Sequence, residues 1–164
     1  AEQKMSLGAG VIEVSAMFSE GGQAVPEGAA IELHKGEANL DGKYENITTD
    51  YAAPSRFKAP AGKYLVVVTR DYATASTPVE LASGGLQKVV VNLNAGYLNV
   101  KAAGATSFVI FSGDKDLSGE RKNLGTEYGE ELNKAFNAGS YHVVVYGAGD
   151  AVLVCRSHRK LWTR

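Results

Sequence analysis

Cysteine is nearly missing. Cys155 is the only one among 164 residues, so no disulfide can form within the chain. That suits a cytosolic protein and also many bacterial envelope proteins. Proline is scarce, with four residues. Neither sign of charge dominates: 17 Lys and Arg stand against 18 Asp and Glu, a formal net charge of -1. There is thus no electrostatic case for a nucleic-acid or anionic-membrane partner. No stretch approaches the roughly 18 apolar residues of a membrane-spanning helix. Glycine, by contrast, is plentiful, with 19 residues against an average usage of roughly 7%. Hydrophobic residues make up 45%, enough for a sizeable core. Dense glycine with frequent Val and Thr predicts many short strands joined by tight turns.

The chain repeats itself. Asn39 to Val68 aligns with Asp116 to Val145 without a gap, at an offset of 77 residues and with 11 identities in 30 positions. Leu40, Gly42, Asn46, Thr49, Tyr51, Gly62 and Tyr64 recur as Leu117, Gly119, Asn123, Thr126, Tyr128, Gly139 and Tyr141. Upstream, Gly10 to Ala16 matches Gly96 to Ala102 at an offset of 86, so the second copy lacks nine residues between its first two strands. The missing piece covers the turn-rich stretch Ser19 to Gln23, as expected of a surface connection. Two domains follow, 1–94 and 95–164, the second shorter.

Within each copy the period is two. Ile12, Val14, Ala16 and Phe18 alternate with polar neighbours, and Leu98, Val100 and Ala102 repeat that face. Such alternation buries one face and wets the other. Tyr64 to Val68 is apolar throughout, which predicts a central strand covered on both sides, and Val89 to Leu93 is a shorter version. Seven strands are expected in the first copy, near 10–18, 30–35, 43–49, 55–59, 62–70, 76–82 and 86–94. The class this implies is all-β: two tandem antiparallel β-sandwich repeats, Ig-like in plan. Glu130 to Ala135 is read as one helical turn. In the second copy Ala151 to Cys155 could supply a strand. The basic stretch from Arg156 to Arg164 matches nothing in the first copy; it is either a natural tail or an unnatural end to a longer chain. With that strand or without it, a last strand is missing. The edge at Tyr141 to Tyr146 is therefore expected to pair with another chain or to face solvent.

The run Phe57-Lys58-Ala59-Pro60-Ala61-Gly62-Lys63-Tyr64-Leu65-Val66-Val67 resembles a signature of transthyretin-like sandwich repeats. That group includes carboxypeptidase regulatory-like domains and collagen-adhesin B-type repeats. The second copy keeps Phe136, Ala138, Gly139 and Tyr141 but lacks the proline and has a shorter Phe-to-Gly spacing. The resemblance implies a non-catalytic spacer or adhesion module of a bacterial cell-envelope or secreted protein. Its partner would be another protein or a polysaccharide, with self-association through an open sheet edge a further expectation. The Lys–Asn cross-link of collagen-adhesin repeats needs a buried Lys on the first strand, where this chain has Ile12, Val14 and Ala16. The start Ala1-Glu2-Gln3-Lys4 is what signal-peptide cleavage leaves, and what an artificial boundary leaves too. With the fold it favours a periplasmic or secreted location.

Chemistry-bearing patterns are few. Asp114, Asp116 and Ser118, followed by Gly119, open like a calcium loop. The twelfth loop position is Gly125, however, where a bidentate Glu is needed. A hairpin turn accounts for the same residues, and no bound metal is expected. His34 and His142 lie mid-strand without ligand-spaced partners, and Cys155 reads as an inert buried thiol. No nucleophile carries a base motif and no phosphate loop joins a strand to a helix, so no enzyme activity and no cofactor are expected. A sugar-binding platform would need exposed aromatics on one sheet face; Tyr44, Tyr51, Tyr72, Tyr97 and Tyr128 are available, while Tyr64 and Tyr141 read as core.

Overall fold

The computed structural model describes residues 8–147 and the backbone of 153–158. The chain start, Ala151, Val152, the Cys155 thiol and residues 159–164 lie outside what is described. The described residues form strands and turns and no helix. They fall into two compact units that divide between Asn94 and Ala95.

The first unit holds β1 (Ala9–Met17), β2 (Ala30–Ala38), β3 (Tyr44–Asp50), β4 (Ser55–Pro60), β5 (Gly62–Arg70), β6 (Ala73–Leu81) and β7 (Leu86–Asn92). All seven expected strands are present. They make two sheets, ordered β4-β1-β7 and β3-β2-β5-β6. The inward residues of both sheets form the core: Ile12 and Val14 on β1, Ile31 and Leu33 on β2, Phe57 on β4, Val66 and Val68 on β5, Val89 and Val91 on β7. Each such side chain contributes roughly 1.5–3 kcal/mol by leaving water. Two expectations need correction. The sheets are not wholly antiparallel, because β1 and β7 pair in parallel, from Val11 with Leu86 to Met17 with Asn92. A first and a last strand that run the same way can pair only in parallel, closed by the whole unit as crossover. Nor are the apolar runs covered on both sides: Leu65 and Val67 are half-exposed and Val90 is exposed. Alternation still decides which residues face the core; the wet face of these strands is simply apolar.

The second unit holds β8 (Ala95–Lys101), β9 (Ala105–Lys115), β10 (Arg121–Tyr128), β11 (Glu131–Asn137), β12 (Ser140–Gly147) and β13 (Leu153–His158). Its sheets are β11-β8 and β10-β9-β12-β13. The expected helical turn at Glu130 to Ala135 is instead β11, paired from Glu131 with Lys101 to Asn137 with Ala95. Burial of Leu132 and Phe136 on the core face outweighs the local helix preference of the Glu-Leu-Lys-Ala composition. The edge at Tyr141 to Tyr146 is not open either. β13 pairs with it from Ser140–His158 to Val145–Leu153. Arg156, Ser157 and His158 therefore belong to a genuine strand. Backbone pairing satisfies N–H and C=O groups whatever the side chains, so absence of alternation did not exclude it.

The duplication holds residue by residue. Ile31 pairs with Asp50 and Val68, and 77 residues later Phe108 pairs with Glu127 and Val145. The ladder slips next to His34–Asn46 in one unit and next to Phe111–Asn123 in the other. Tyr64 Oη donates to the Pro60 carbonyl at 2.8 Å, and Tyr141 Oη donates to the Asn137 carbonyl at 2.8 Å. Gly36 and Gly113, also 77 apart, sit where a Cβ would run into the backbone of Lys63 and Ser140 respectively. One swap restores packing: the seat of Phe57 opposite Ile12 is taken by Lys134 opposite Leu98, and Phe136 fills the core instead, 4.8 Å from the Tyr141 ring.

Candidate functional site

The Asp114–Gly119 loop is a hairpin connection. Asp116 Oδ1 accepts the backbone N–H of Ser118 and of Glu120, each at 2.9 Å, and the Ser118 hydroxyl at 2.6 Å. These bonds, led by that hydroxyl, hold the Asp116 carboxyl below its ordinary value. Asn39 does the same in the first unit, where its Oδ1 accepts from Asp41 and Lys43 at 3.0 and 2.9 Å. Gly42 and Gly119 complete both turns in the left-handed region, at φ 74 and 83°. Asp114 stands apart from this network, at the end of β9, where its carbonyl accepts from the Ser112 hydroxyl. Among the described residues no group of three or more His, Cys, Asp or Glu is placed to hold a metal ion. Leu40 and Leu117 stand fully exposed at the two tips.

The histidines differ from their sequence reading. His34 has a carboxylate partner after all: Glu32 Oε2 lies 2.8 Å from its Nε2, two residues along the same strand face. The His34 Nδ1 lies 3.2 Å from the Tyr44 carbonyl. The His142 ring lies 6.3 Å from that of Phe111. In the first unit an open groove beside the Gly36 slip is lined by Lys35, Glu45, Ile47, Pro60, Lys63 and Tyr64, with Lys35 and Glu45 paired at 2.6 Å.

The outer face of the β10-β9-β12 sheet gathers the aromatic residues. Ser107 pairs with Tyr128 on one side and with Tyr146 on the other. Residues paired across a sheet point to the same side. Both tyrosines are exposed, at 83% and 45%, and two strand spacings put them about 10 Å apart. The next row is Thr126, Val109 and Val144, and the next Asn123, Phe111 and His142. Val109, Phe111, His142 and Val144 are half-exposed. The strip then runs into a shallow depression shared by Phe111, His142 and Val144 with Lys115, Glu120 and Arg121. The Arg121 guanidinium donates to the Ser112 and Gly113 carbonyls, which fixes its place at the rim. The first unit has no such strip. There the corresponding rows carry Ala30 with Thr69, Glu32 with Thr49 and Val67, and His34 with Asn46 and Leu65.

Of the tyrosines picked from the sequence, Tyr44, Tyr51, Tyr97 and Tyr128 are exposed and Tyr72 is half-exposed. They are spread over different strands and both units. Tyr64 is buried, whereas Tyr141 is half-buried, and burial raises its hydroxyl above the ordinary value. Tyr146, Phe111 and His142 were missed as site residues. The signal was present: with Val143 and Val145 inward, period two turns His142, Val144 and Tyr146 outward. Among the described residues no helix is long and apolar enough to cross a membrane.

No protein-family model matches the chain, and no curated protein sequence matches it. Solved structures that resemble it do so distantly. The Bacillus anthracis TIE protein is 17% identical with a TM-score of 0.37, over 90% of this chain and 30% of that one. A Streptococcal ancillary pilin is 12% identical with a TM-score of 0.43, over 97% and 61%. A DUF3823 family protein from Parabacteroides merdae is 12% identical with a TM-score of 0.35, over 91% and 96%. The chain thus spans less than two thirds of the length of the first two.

Proposed function

We propose that this chain is a non-catalytic adhesion module of a bacterial cell-envelope or secreted protein, built from two transthyretin-like β-sandwich repeats. The first repeat acts as a spacer and the second presents the ligand-binding face. The observation that carries this reading is the exposed row Tyr128–Ser107–Tyr146, continued by Phe111 and His142. Aromatic rings about 10 Å apart on a sheet suit the apolar faces of every second sugar along an extended glycan. Lys115, Glu120 and Arg121 at the end of the strip supply polar contacts. The ligand class is therefore a polysaccharide. The turn network that occupies Asp116 supports a structural reading of its loop, with no role for calcium at Asp114, Asp116 and Ser118.

Binding to an array of bacterial and host polysaccharides tests the reading. The intact chain should retain at least one glycan. Tyr128→Ala and Tyr146→Ala should each weaken it by about tenfold, roughly the 1–1.5 kcal/mol of one aromatic contact. Tyr51→Ala, the corresponding change in the first unit, should have no effect. A chain that retains no glycan, or one whose binding survives both changes, overturns the proposal.

A further inference from the structure

The two units differ at one edge. In the first, β7 lies beside β1 and completes the sheet β4-β1-β7. In the second, the corresponding sheet is β11-β8, and among the described residues no strand pairs with the other side of β8. The side chains register the difference. Ile12, Val14 and Ala16 are buried at 0, 0 and 4% exposure. Leu98, Val100 and Ala102, their counterparts 86 residues on, are all half-exposed. Backbone direction agrees. Val11 N–H donates to Gly85 O at the start of β7, so odd-numbered amides of β1 face β7. Ala102 N–H donates to Glu130 O, toward β11, so the amides of Asn99 and Lys101 face the other way. The duplicated unit thus keeps an edge whose apolar lining and hydrogen-bonding direction match those of β1 beside β7.

We propose that the outer edge of β8 is an acceptor for a strand supplied by a second polypeptide. This surface is separate from the aromatic face and does not depend on it. The occupant's chemistry follows from β7: an extended segment of about seven residues, parallel to β8, with branched apolar residues at every second position. Val89, Val91 and Leu93 are buried in that role in the first unit. Main-chain bonds to Asn99 and Lys101 hold the segment, and its alternate side chains cover Leu98, Val100 and Ala102. One feature of β7 is not required. Lys88 approaches Glu13 at 3.8 Å, but Asn99 replaces Glu13 at the corresponding position of β8, so the incoming strand needs no cation there.

The test adds a synthetic peptide, Gly85 to Asn94 of this sequence, to the intact chain and follows amide hydrogen exchange. The expected result is exchange slowed by about tenfold or more at Asn99 and Lys101, with β1 unchanged. A peptide with Ser in place of Val89, Val91 and Leu93 should give no slowing, and Val100→Ser in the chain should weaken the effect of the native peptide. Four results overturn the proposal. One is no slowing at Asn99 and Lys101, and another is equal slowing by the serine peptide. A third is a monomer in which these amides already exchange as slowly as those of β1 without peptide, so that the chain covers its own edge. The fourth is a dimer with slow exchange at β8, which assigns the edge to a second copy of β8 itself.

Discussion

The two units share a plan and part ways at its last strand. Across β3-β2-β5 and β10-β9-β12 the pairing is kept nearly residue for residue, with the same slip, the same tyrosine-to-carbonyl bond and the same side-chain acceptor at the hairpin turn. In the smaller sheets, three strands stand against two among the described residues. Main-chain geometry and a few turn residues are thus enough to copy the architecture. Core burial, by contrast, is complete on β1, which is flanked on both sides, and partial on β8, which among the described residues is paired on one side. The outer faces diverge too: one unit shows a Glu–His pair and a single tyrosine, Tyr51, where the other shows Phe, His and two tyrosines. Each difference can be tested by making the same change in both units.

The largest effect is expected in the small sheets. Ile12→Ala should destabilise its unit by about 2–5 kcal/mol, the usual cost of emptying a fully packed site. Leu98→Ala should cost its unit less, about 1–2 kcal/mol, because that side chain is only partly buried and truncating it leaves no closed cavity. Native-state hydrogen exchange in rising denaturant reads the two units separately, and equal losses would contradict the account. A smaller effect is expected at the tyrosines. Tyr64→Phe and Tyr141→Phe should each cost about 1 kcal/mol, the net worth of one hydroxyl bond. The loss should be greater at the more buried Tyr64.

The smallest difference lies in the hairpin turns and appears only in acid. Hydrogen bonds lower the Asp116 carboxyl, so its contribution is complete above the ordinary carboxylate value of about 3.9 and is lost as pH falls through the lowered one. The amide shift of Ser118, which bonds Asp116 Oδ1, should hold steady from neutral pH to about 4 and move below it. The Asn39 turn should show no such titration at Lys43, and Asp116→Asn should make the second turn behave like the first. Millimolar calcium should leave both sets of shifts unmoved; a calcium-induced shift at Ser118 would contradict the structural reading of the loop.

Much of this architecture was legible in the sequence. Alternation, apolar runs and the turns between them located all seven strands of the first unit, and the ungapped offset placed Gly62 with Gly139 and Tyr64 with Tyr141. The failures have physical causes. Glu131 to Asn137 has helix-compatible composition, and only the core site filled by Leu132 and Phe136 makes it a strand. Residues 153–158 pair through their backbone, which composition does not report. The parallel β1–β7 ladder joins residues too far apart in sequence for local patterns to show its direction. Period two turns His142, Val144 and Tyr146 outward, but the aromatic strip as a whole was hidden because its rows form only when β9, β10 and β12 are set side by side.

The central claim is that the second unit carries an open strand seat where the first carries β7. Hydrogen exchange of the intact chain, without ligand or peptide, tests it most directly by comparing the amides of Glu13 and Ser15 with those of Asn99 and Lys101. The account predicts that Glu13 and Ser15, facing β7, exchange only on opening of their unit, whereas Asn99 and Lys101 exchange at least about a hundredfold faster through local exposure. Equal protection at all four amides in a monomeric chain would contradict it.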